Sequence, residues 1–326
     1  MKIIRTKSYA IIFDERSGLE IRTGINGYDD PFSLEFPSLL DIGIMGECKG
    51  NCSFCYQGEE RQENMSLEKY KKIIDESSPY VTQVALGGRG DPDQHADFEE
   101  ILKYTREKGV IPNYTTSGRD FSEKHACISK EYVGAVAVSD YGKEFTYSAI
   151  RILQQAKIKT NIHMVLSSAS LQKAIRLLNG EDVWNSNVDI DNLNAVIFLL
   201  FKPVGRGVSL KSNCLSKDQV KEFAAALVNA KCSFSVGLDS CLVCSILTEA
   251  KCFSEKQMQC IDTCEAARMS AYITPDMKLK PCSFAGNDTA IPLTNSTIRS
   301  AWNSEVFART RSLLQEEPNQ CPFAIF

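Results

Sequence analysis

The sequence predicts an α/β protein: a partial (βα)6 barrel of TIM type with a small cysteine-rich domain after it. Three observations predict this. Six short apolar segments alternate with amphipathic helical segments between residues 41 and 235. Polar or glycine-rich stretches sit where strands end, at 87–92, 115–118, 139–140 and 202–207. Thirteen cysteines stand in 326 residues, gathered at 48–55 and beyond 240. Alternation of strand and helix builds a parallel sheet with right-handed crossovers. Six units are too few for a closed eight-stranded barrel of about 250 residues, so the barrel is open.

Residues 1–40 hold short apolar runs broken by Gly18, Gly24 and Gly27, which reads as a β-rich extension. The first barrel strand is 42–45. A helix over 66–76 puts Leu67, Tyr70, Ile73 and Ile74 on one face, with Ser66 as N-cap. The second strand, 81–86, runs into Gly87-Gly88. The helix over 97–108 opens with Asp97 and Glu100 at capping-box spacing and stops at Gly109. Strands over 110–116 and 133–138 follow, the latter ending at Ser139-Asp140. A helix over 144–156, a strand over 158–166 and a helix over 171–179 closed by Gly180 come next. The last strand, 194–201, is almost wholly apolar, as a parallel strand covered on both faces must be. A helix over 216–230 opens with Ser216 and Gln219 in capping-box spacing. The alternation stops near 235. Three units are therefore expected: an extension over 1–40, a barrel over 41–235 and a compact domain over 236–326.

Composition excludes several classes of function. Hydrophobic residues make up 43% and charged residues 24%, as in a globular protein. Thirty-seven Lys and Arg against 41 Asp and Glu leave a net charge of −4, with no dense basic run. A general nucleic-acid or anionic-membrane binder needs a concentrated positive field and is not expected. The longest apolar run falls far short of the roughly 20 residues that span a bilayer. Residues 1–7 carry no apolar secretory core, so a cytoplasmic location is expected. In that reducing compartment an odd, clustered set of cysteines points to metal binding or catalysis rather than disulfides.

Cys48-x3-Cys52-x2-Cys55 lies just past the first strand. Three thiolates so close in sequence can converge on one metal centre, and disulfides between such near neighbours are strained. A zinc site asks for four ligands. Three cysteines without a nearby fourth suit a [4Fe–4S] cluster with one open iron. The plainer alternative is three ordinary buried or redox cysteines. The motif has aromatic Phe54 before its last cysteine and stands after the first strand of a βα series. In this it resembles the signature of the radical S-adenosylmethionine (SAM) superfamily, over residues 41–235.

That resemblance implies a cluster on Cys48, Cys52 and Cys55 whose open iron chelates the amino and carboxylate groups of SAM. An electron from the cluster cleaves SAM to methionine and a 5′-deoxyadenosyl radical, which takes hydrogen from an unactivated C–H bond. An electron donor such as flavodoxin or ferredoxin is implied as a partner. Gly87 and Gly88 stand where the family has a glycine-rich turn against the SAM amino group, although Arg89 replaces its frequent Glu. Ser117 and Ser139 match positions that bond the ribose or carboxylate of SAM in relatives, and each is equally an ordinary strand-end serine. Arg151 is a candidate partner of the carboxylate or an exposed helical arginine. His163 is read first as a structural histidine. Asp140, Tyr141 and Arg206 are unranked candidates for substrate contact.

Beyond 235, Cys264 and Cys282 bracket a segment that reads as a hairpin turning at Pro275-Asp276. Residues 238–326 resemble the twitch and SPASM auxiliary-cluster domains, which makes this a small Fe–S domain. The resemblance implies one auxiliary [4Fe–4S] cluster on Cys241, Cys264, Cys282 and Cys321. The chain departs from relatives in having a single cysteine near its end where they often have a Cys-x2-Cys pair. A zinc site built from Cys241-x2-Cys244 and Cys260-x3-Cys264 is the competing arrangement. Cys127, Cys214, Cys232 and Cys252 read as small hydrophobes.

Relatives with such auxiliary domains mostly modify peptides. A ribosomally made precursor peptide is the substrate class implied, through crosslinking, epimerisation or oxidation. The alternatives are a radical SAM oxidoreductase acting on a small molecule and a non-catalytic Fe–S or zinc protein.

Overall fold

The computed structural model describes residues 1–57, 61–184, 186–250, 252–258 and 261–323. Near the amino end, alternation of buried and accessible residues makes an antiparallel sheet. Its strands are β1 (Lys2–Arg5), β2 (Tyr9–Asp14) and β3 (Leu19–Gly24). Tyr9 and Ile11 of β2 pack with Ile4, Leu34 and Met269 in a small separate core. The sheet lies against the amino ends of barrel strands. Lys2 Nζ donates to the carbonyls of Ser78 at 2.9 Å and Val81 at 2.6 Å, and Lys159 Nζ to that of Glu15 at 2.7 Å. Glu20 accepts from Thr82 Oγ1 at 2.7 Å. With the amino ends occupied, the carboxyl ends are left as the accessible face.

Seven parallel strands follow: β4 (Leu39–Met45), β5 (Gln83–Gly88), β6 (Ile111–Thr116), β7 (Val136–Ser139), β8 (Thr160–Leu166), β9 (Ala195–Leu200) and β10 (Ser235–Leu238). They pair in sequence order, each parallel to the next. Helices α1 (Leu67–Ser77), α2 (Phe98–Glu107), α3 (Glu123–Tyr132), α4 (Glu144–Gln155), α5 (Leu171–Leu178) and α6 (Lys217–Val228) fill the crossovers. Ile42, Val84, Val136, Ile162, Val196 and Phe198 join Tyr70, Ile73, Ile101, Ile150 and Leu177 of the helices in one fully buried core. Each such side chain contributes roughly 1.5–3 kcal/mol. The residues that alternate with them, Asp41, Ala85, Asn113, His163 and Ile197, stay partly accessible inside the barrel. Side chains successive along a strand point to opposite faces, so these define the interior.

The sheet does not close. Beyond β4 it continues through β11 (Ser270–Ile273), β12 (Lys278–Lys280) and β13 (Ile291–Pro292). β11 runs parallel to β4, with Tyr272 opposite Asp41, and β12 turns back antiparallel with Lys280 opposite Tyr272. The hairpin expected in the C-terminal region is therefore part of the barrel sheet, which makes ten strands. The alternation also outlasts residue 235, because β10 is a seventh parallel strand and leads into α7 (Ser240–Glu249).

Most helix starts follow the expected caps. Ser66 Oγ accepts from Lys69 N at 3.3 Å, and Ser216 and Gln219 form the reciprocal capping box. Asp97 does not: its side chain makes no cap bond, and its N–H donates to His95 Nδ1 at 3.0 Å instead. Helix α3 has no expected counterpart. It buries only Ala126 and Ser129, too little to print an apolar stripe. Among the described residues no helix is long and apolar enough to cross a membrane.

Candidate functional site

The first cysteine loop leaves β4 at the open face. Its base is closed by two hydrogen bonds: Gly46 N–H donates to the side-chain Oδ1 of Asn64 at 2.9 Å and Gln62 N–H to the Gly46 carbonyl at 2.9 Å. Cys55 N–H donates to the Cys52 carbonyl at 3.2 Å, and Gly50 N–H to Cys48 Sγ at 3.1 Å. Cys48 and Cys55 both lie near enough to Cys52 to act on its thiol. Burial pushes the Cys52 thiol up, Tyr141 counters it, and Cys55 and Cys48 add to it. Such thiols ionise when a cation supplies countercharge.

Loops from three other strands brace this one. After β7, the Tyr141 ring stacks on Phe54 with centroids 5.8 Å apart. After β9, Arg206 N–H donates to the Cys55 carbonyl at 2.9 Å, and the Arg206 guanidinium bonds Asn51 Oδ1. Gly205 sits so close that a Cβ there would lie 2.6 Å from the Cys55 carbonyl oxygen. After β5, Arg89 N–H donates to the Met45 carbonyl at 2.8 Å.

Gly87 and Gly88 end β5, but they answer to different demands. Gly88 has φ +115°, and a Cβ would meet the Met45 carbonyl oxygen at 2.3 Å. Gly87 has nothing within 4 Å of where its Cβ would be. Ser117, after β6, is held by a residue the sequence reading passed over. Asp91 accepts from Ser117 N–H and Ser117 Oγ–H, each at 2.6 Å. Ser139, ending β7, lies beside Tyr141 and opposite His163 of β8.

His163 lies on the interior face, no hydrogen bond of its ring is formed with the described residues, and burial lowers it to about 4, with Asp239 opposing. Arg151 pairs with Glu144 at 2.7 Å on the surface of α4, away from the strand ends. Asp140 is buried under its own loop, bonded to Lys173 Nζ at 2.6 Å and Trp184 Nε1 at 3.1 Å.

The C-terminal thiols also gather. Cys282 and Cys264 raise Cys241, Cys282, Cys244 and Cys321 raise Cys264, and Cys321 raises Cys244 and Cys282. Burial raises Cys241, Cys244 and Cys282 and pushes Cys264 up to about 12. Cys244, which belongs to the competing zinc arrangement, lies beside the four cysteines of the expected set, and its thiol donates to the Pro318 carbonyl at 3.8 Å. Cys260, needed for the zinc arrangement, lies outside the described residues. Among those residues no three His, Cys, Asp or Glu side chains close to the geometry of a single-ion site. A cubane ties each thiolate to a different iron, so its ligands stand wider apart than the sulfurs on one zinc at about 2.3 Å.

The two groups meet across the hairpin. Phe284 N–H donates to Cys282 Sγ at 3.4 Å, and the Phe284 ring packs on Tyr56, beside Cys55, at 4.6 Å. A cavity of about 170 Å³ lies here, lined by Gln57, Arg89, Tyr272, Lys280 and Ser283 among others.

The three cysteines stand at the carboxyl end of the first strand of an open parallel barrel. Residues 42–139 match the Radical SAM superfamily. The family implies a [4Fe–4S] cluster and SAM, and the thiols of Cys48, Cys52 and Cys55 fit that cluster. The chain is 21% identical over 213 residues to a tungsten-containing aldehyde ferredoxin oxidoreductase cofactor-modifying protein of Pyrococcus furiosus, over 64% of this chain and 51% of that one. It is 30% identical over 110 residues to the Fe-coproporphyrin III synthase of Methanosarcina barkeri, over 32% and 28%. The chain thus spans about half or less of the length of these curated relatives. Its fold is that of Streptococcus suis SuiB, solved bound to the precursor peptide SuiA, with a TM-score of 0.67, 15% identity and coverage of 86% and 68%.

Proposed function

We propose that this chain is a radical SAM enzyme that modifies a peptide, with a second [4Fe–4S] cluster in its C-terminal region. The observation that carries the class is the Cys48, Cys52 and Cys55 triad beside the Gly87-Gly88 turn at the open face of the sheet. When bound, the triad's cluster supplies the electron that cleaves SAM to methionine and a 5′-deoxyadenosyl radical. The residues around it serve binding and exclusion of water. Gly87 leaves room for the SAM amino group, while Ser117, fixed by Asp91, and Ser139 are placed for its polar groups. Tyr141 and Phe54 wall the cluster loop. The C-terminal cluster is assigned to Cys241, Cys264, Cys282 and Cys321.

A peptide substrate is supported by the shared fold with SuiB, which holds a precursor peptide, and by the second thiol group next to the cavity at Tyr272 and Lys280. A small-molecule substrate is the second reading, favoured by the curated relatives, whose names concern a metal cofactor and an iron porphyrin.

The test is anaerobic incubation of the reduced, reconstituted chain with SAM. 5′-Deoxyadenosine above the level of a Cys48→Ala control supports the class, and equal levels overturn it. A mass shift in a co-expressed peptide encoded beside the gene supports the peptide. Formation of an iron coproporphyrin from an iron tetrapyrrole precursor, with no such shift, transfers the chain to the second reading.

A further inference from the structure

Lys202 is a buried ammonium that the proposed chemistry leaves unused. Its side chain is 4% exposed. It stands just past β9, between the barrel and the C-terminal thiols. Two of its three N–H donors are taken, by Asp239 Oδ2 at 2.6 Å and the Leu200 carbonyl at 3.1 Å. The ammonium also lies over the Phe284 ring, 4.5 Å from its centroid.

Two of these partners are tied to a cysteine. Asp239 is the N-cap of α7, accepting from Leu242 N–H at 2.8 Å, and Cys241 lies in the first turn of that helix. Phe284 donates its backbone N–H to Cys282 Sγ. Burial pulls Lys202 down, but Asp239, Cys241 and Cys282 outweigh it, and the ammonium is held above its ordinary value. A buried ion pair is weak evidence for a purely stabilising role, because desolvation consumes most of its Coulomb energy. Its contacts with Asp239, which caps the helix carrying Cys241, and with Phe284, whose N–H bonds Cys282 Sγ, give this one a use.

We infer that Lys202 is the counter-charge of the C-terminal thiolate group, a positioning residue that raises the reduction potential of the cluster held there. Reduction adds a negative charge to a cluster, and a fixed ammonium at short range in a low-dielectric site stabilises the reduced state. Asp239 fixes the ammonium in place and caps the helix that presents Cys241, so one carboxylate sets both partners. The assignment rests on the C-terminal thiols holding a cluster.

The experiment uses the full chain, reconstituted anaerobically in a Cys48→Ala background so that the C-terminal iron is read alone. Iron content and an EPR-monitored redox titration are compared for Lys202, Lys202→Met and Lys202→Arg. The expected result is a Lys202→Met midpoint lowered by at least a tenfold change in the one-electron equilibrium, about 59 mV. Lys202→Arg, which keeps the charge, stays near the parent. Iron uptake lost in Lys202→Met and retained in Lys202→Arg supports the inference equally, since the charge is then needed for assembly. Equal midpoints in all three overturn it. Loss of iron in both variants with unchanged circular dichroism also overturns it, because shape and not charge is then required. If the Cys48→Ala parent itself takes up no iron, the cluster reading fails, and the inference with it.

Discussion

Ser117 and Asp91 are joined by two hydrogen bonds of 2.6 Å, one from the serine amide and one from its hydroxyl. The pair fixes the end of β6 against the loop that follows Gly87 and Gly88. Ser117 Oγ in turn accepts from Arg119 N–H at 3.2 Å, so the hydroxyl's orientation is set. Asp91→Ala leaves a half-buried amide and hydroxyl without this acceptor, a cost of about 1 kcal/mol. The expected outcome is a lower thermal midpoint and a SAM affinity weakened about tenfold, measured by calorimetry on the reconstituted chain. Asp91→Asn, which still accepts from the amide, is expected to fall between.

Gly87 and Gly88 separate a ligand role from a backbone role. At Gly88 an added methyl meets the Met45 carbonyl oxygen at 2.3 Å and φ is +115°. Gly88→Ala is expected to unfold or strongly destabilise the chain, by about 2 kcal/mol or more. At Gly87 the methyl enters open space. Gly87→Ala is expected to keep its thermal midpoint and lose SAM affinity. Undiminished affinity in a folded Gly87→Ala protein removes Gly87 from the SAM site.

What the sequence made legible follows from locality. The barrel strands were readable because each is a short apolar run closed by glycine or a polar loop, and the first thiol group because its members are near neighbours. β10 was not, since Ser235–Leu238 is four residues long and contains Gly237. The docking of Tyr272 opposite Asp41 joins residues more than two hundred positions apart, and no local period encodes it. The same holds for the Asp91–Ser117 clamp and for Lys202, whose meaning depends on Asp239 and Phe284. Cys244 had a visible spacing, but spacing alone does not say which cysteines of a crowded set converge.

The five C-terminal thiols exceed the four that a cubane takes. Cys244 is 2% exposed and its thiol donates to the Pro318 carbonyl at 3.8 Å, which requires a proton on the sulfur. Cys321 has no such bond among the described residues. Cys244→Ala is therefore expected to retain the C-terminal iron, with a stability cost near 1 kcal/mol. Cys321→Ala is expected to lose it. Iron and sulfide counts in the Cys48→Ala background decide, and the reverse pattern makes Cys244 the fourth ligand.

Asp41 carries a pH signature of the barrel interior. Burial first and Glu265 second push its carboxyl from 3.8 up to about 7. The folded chain therefore holds a proton that the unfolded chain releases between about pH 4 and pH 7. Its contribution to stability is fully present below the unfolded value and is lost as pH rises toward the folded one. The loss has an upper bound of about 4 kcal/mol. Asp41→Asn mimics the protonated form at every pH, so it is expected to match the parent near pH 4 and to be more stable at pH 8. Urea midpoints at the two pH values measure the difference. A parent and variant separated by the same amount at both would mean that Asp41 ionises as an ordinary carboxylate and that the barrel interior beside Tyr272 is well hydrated.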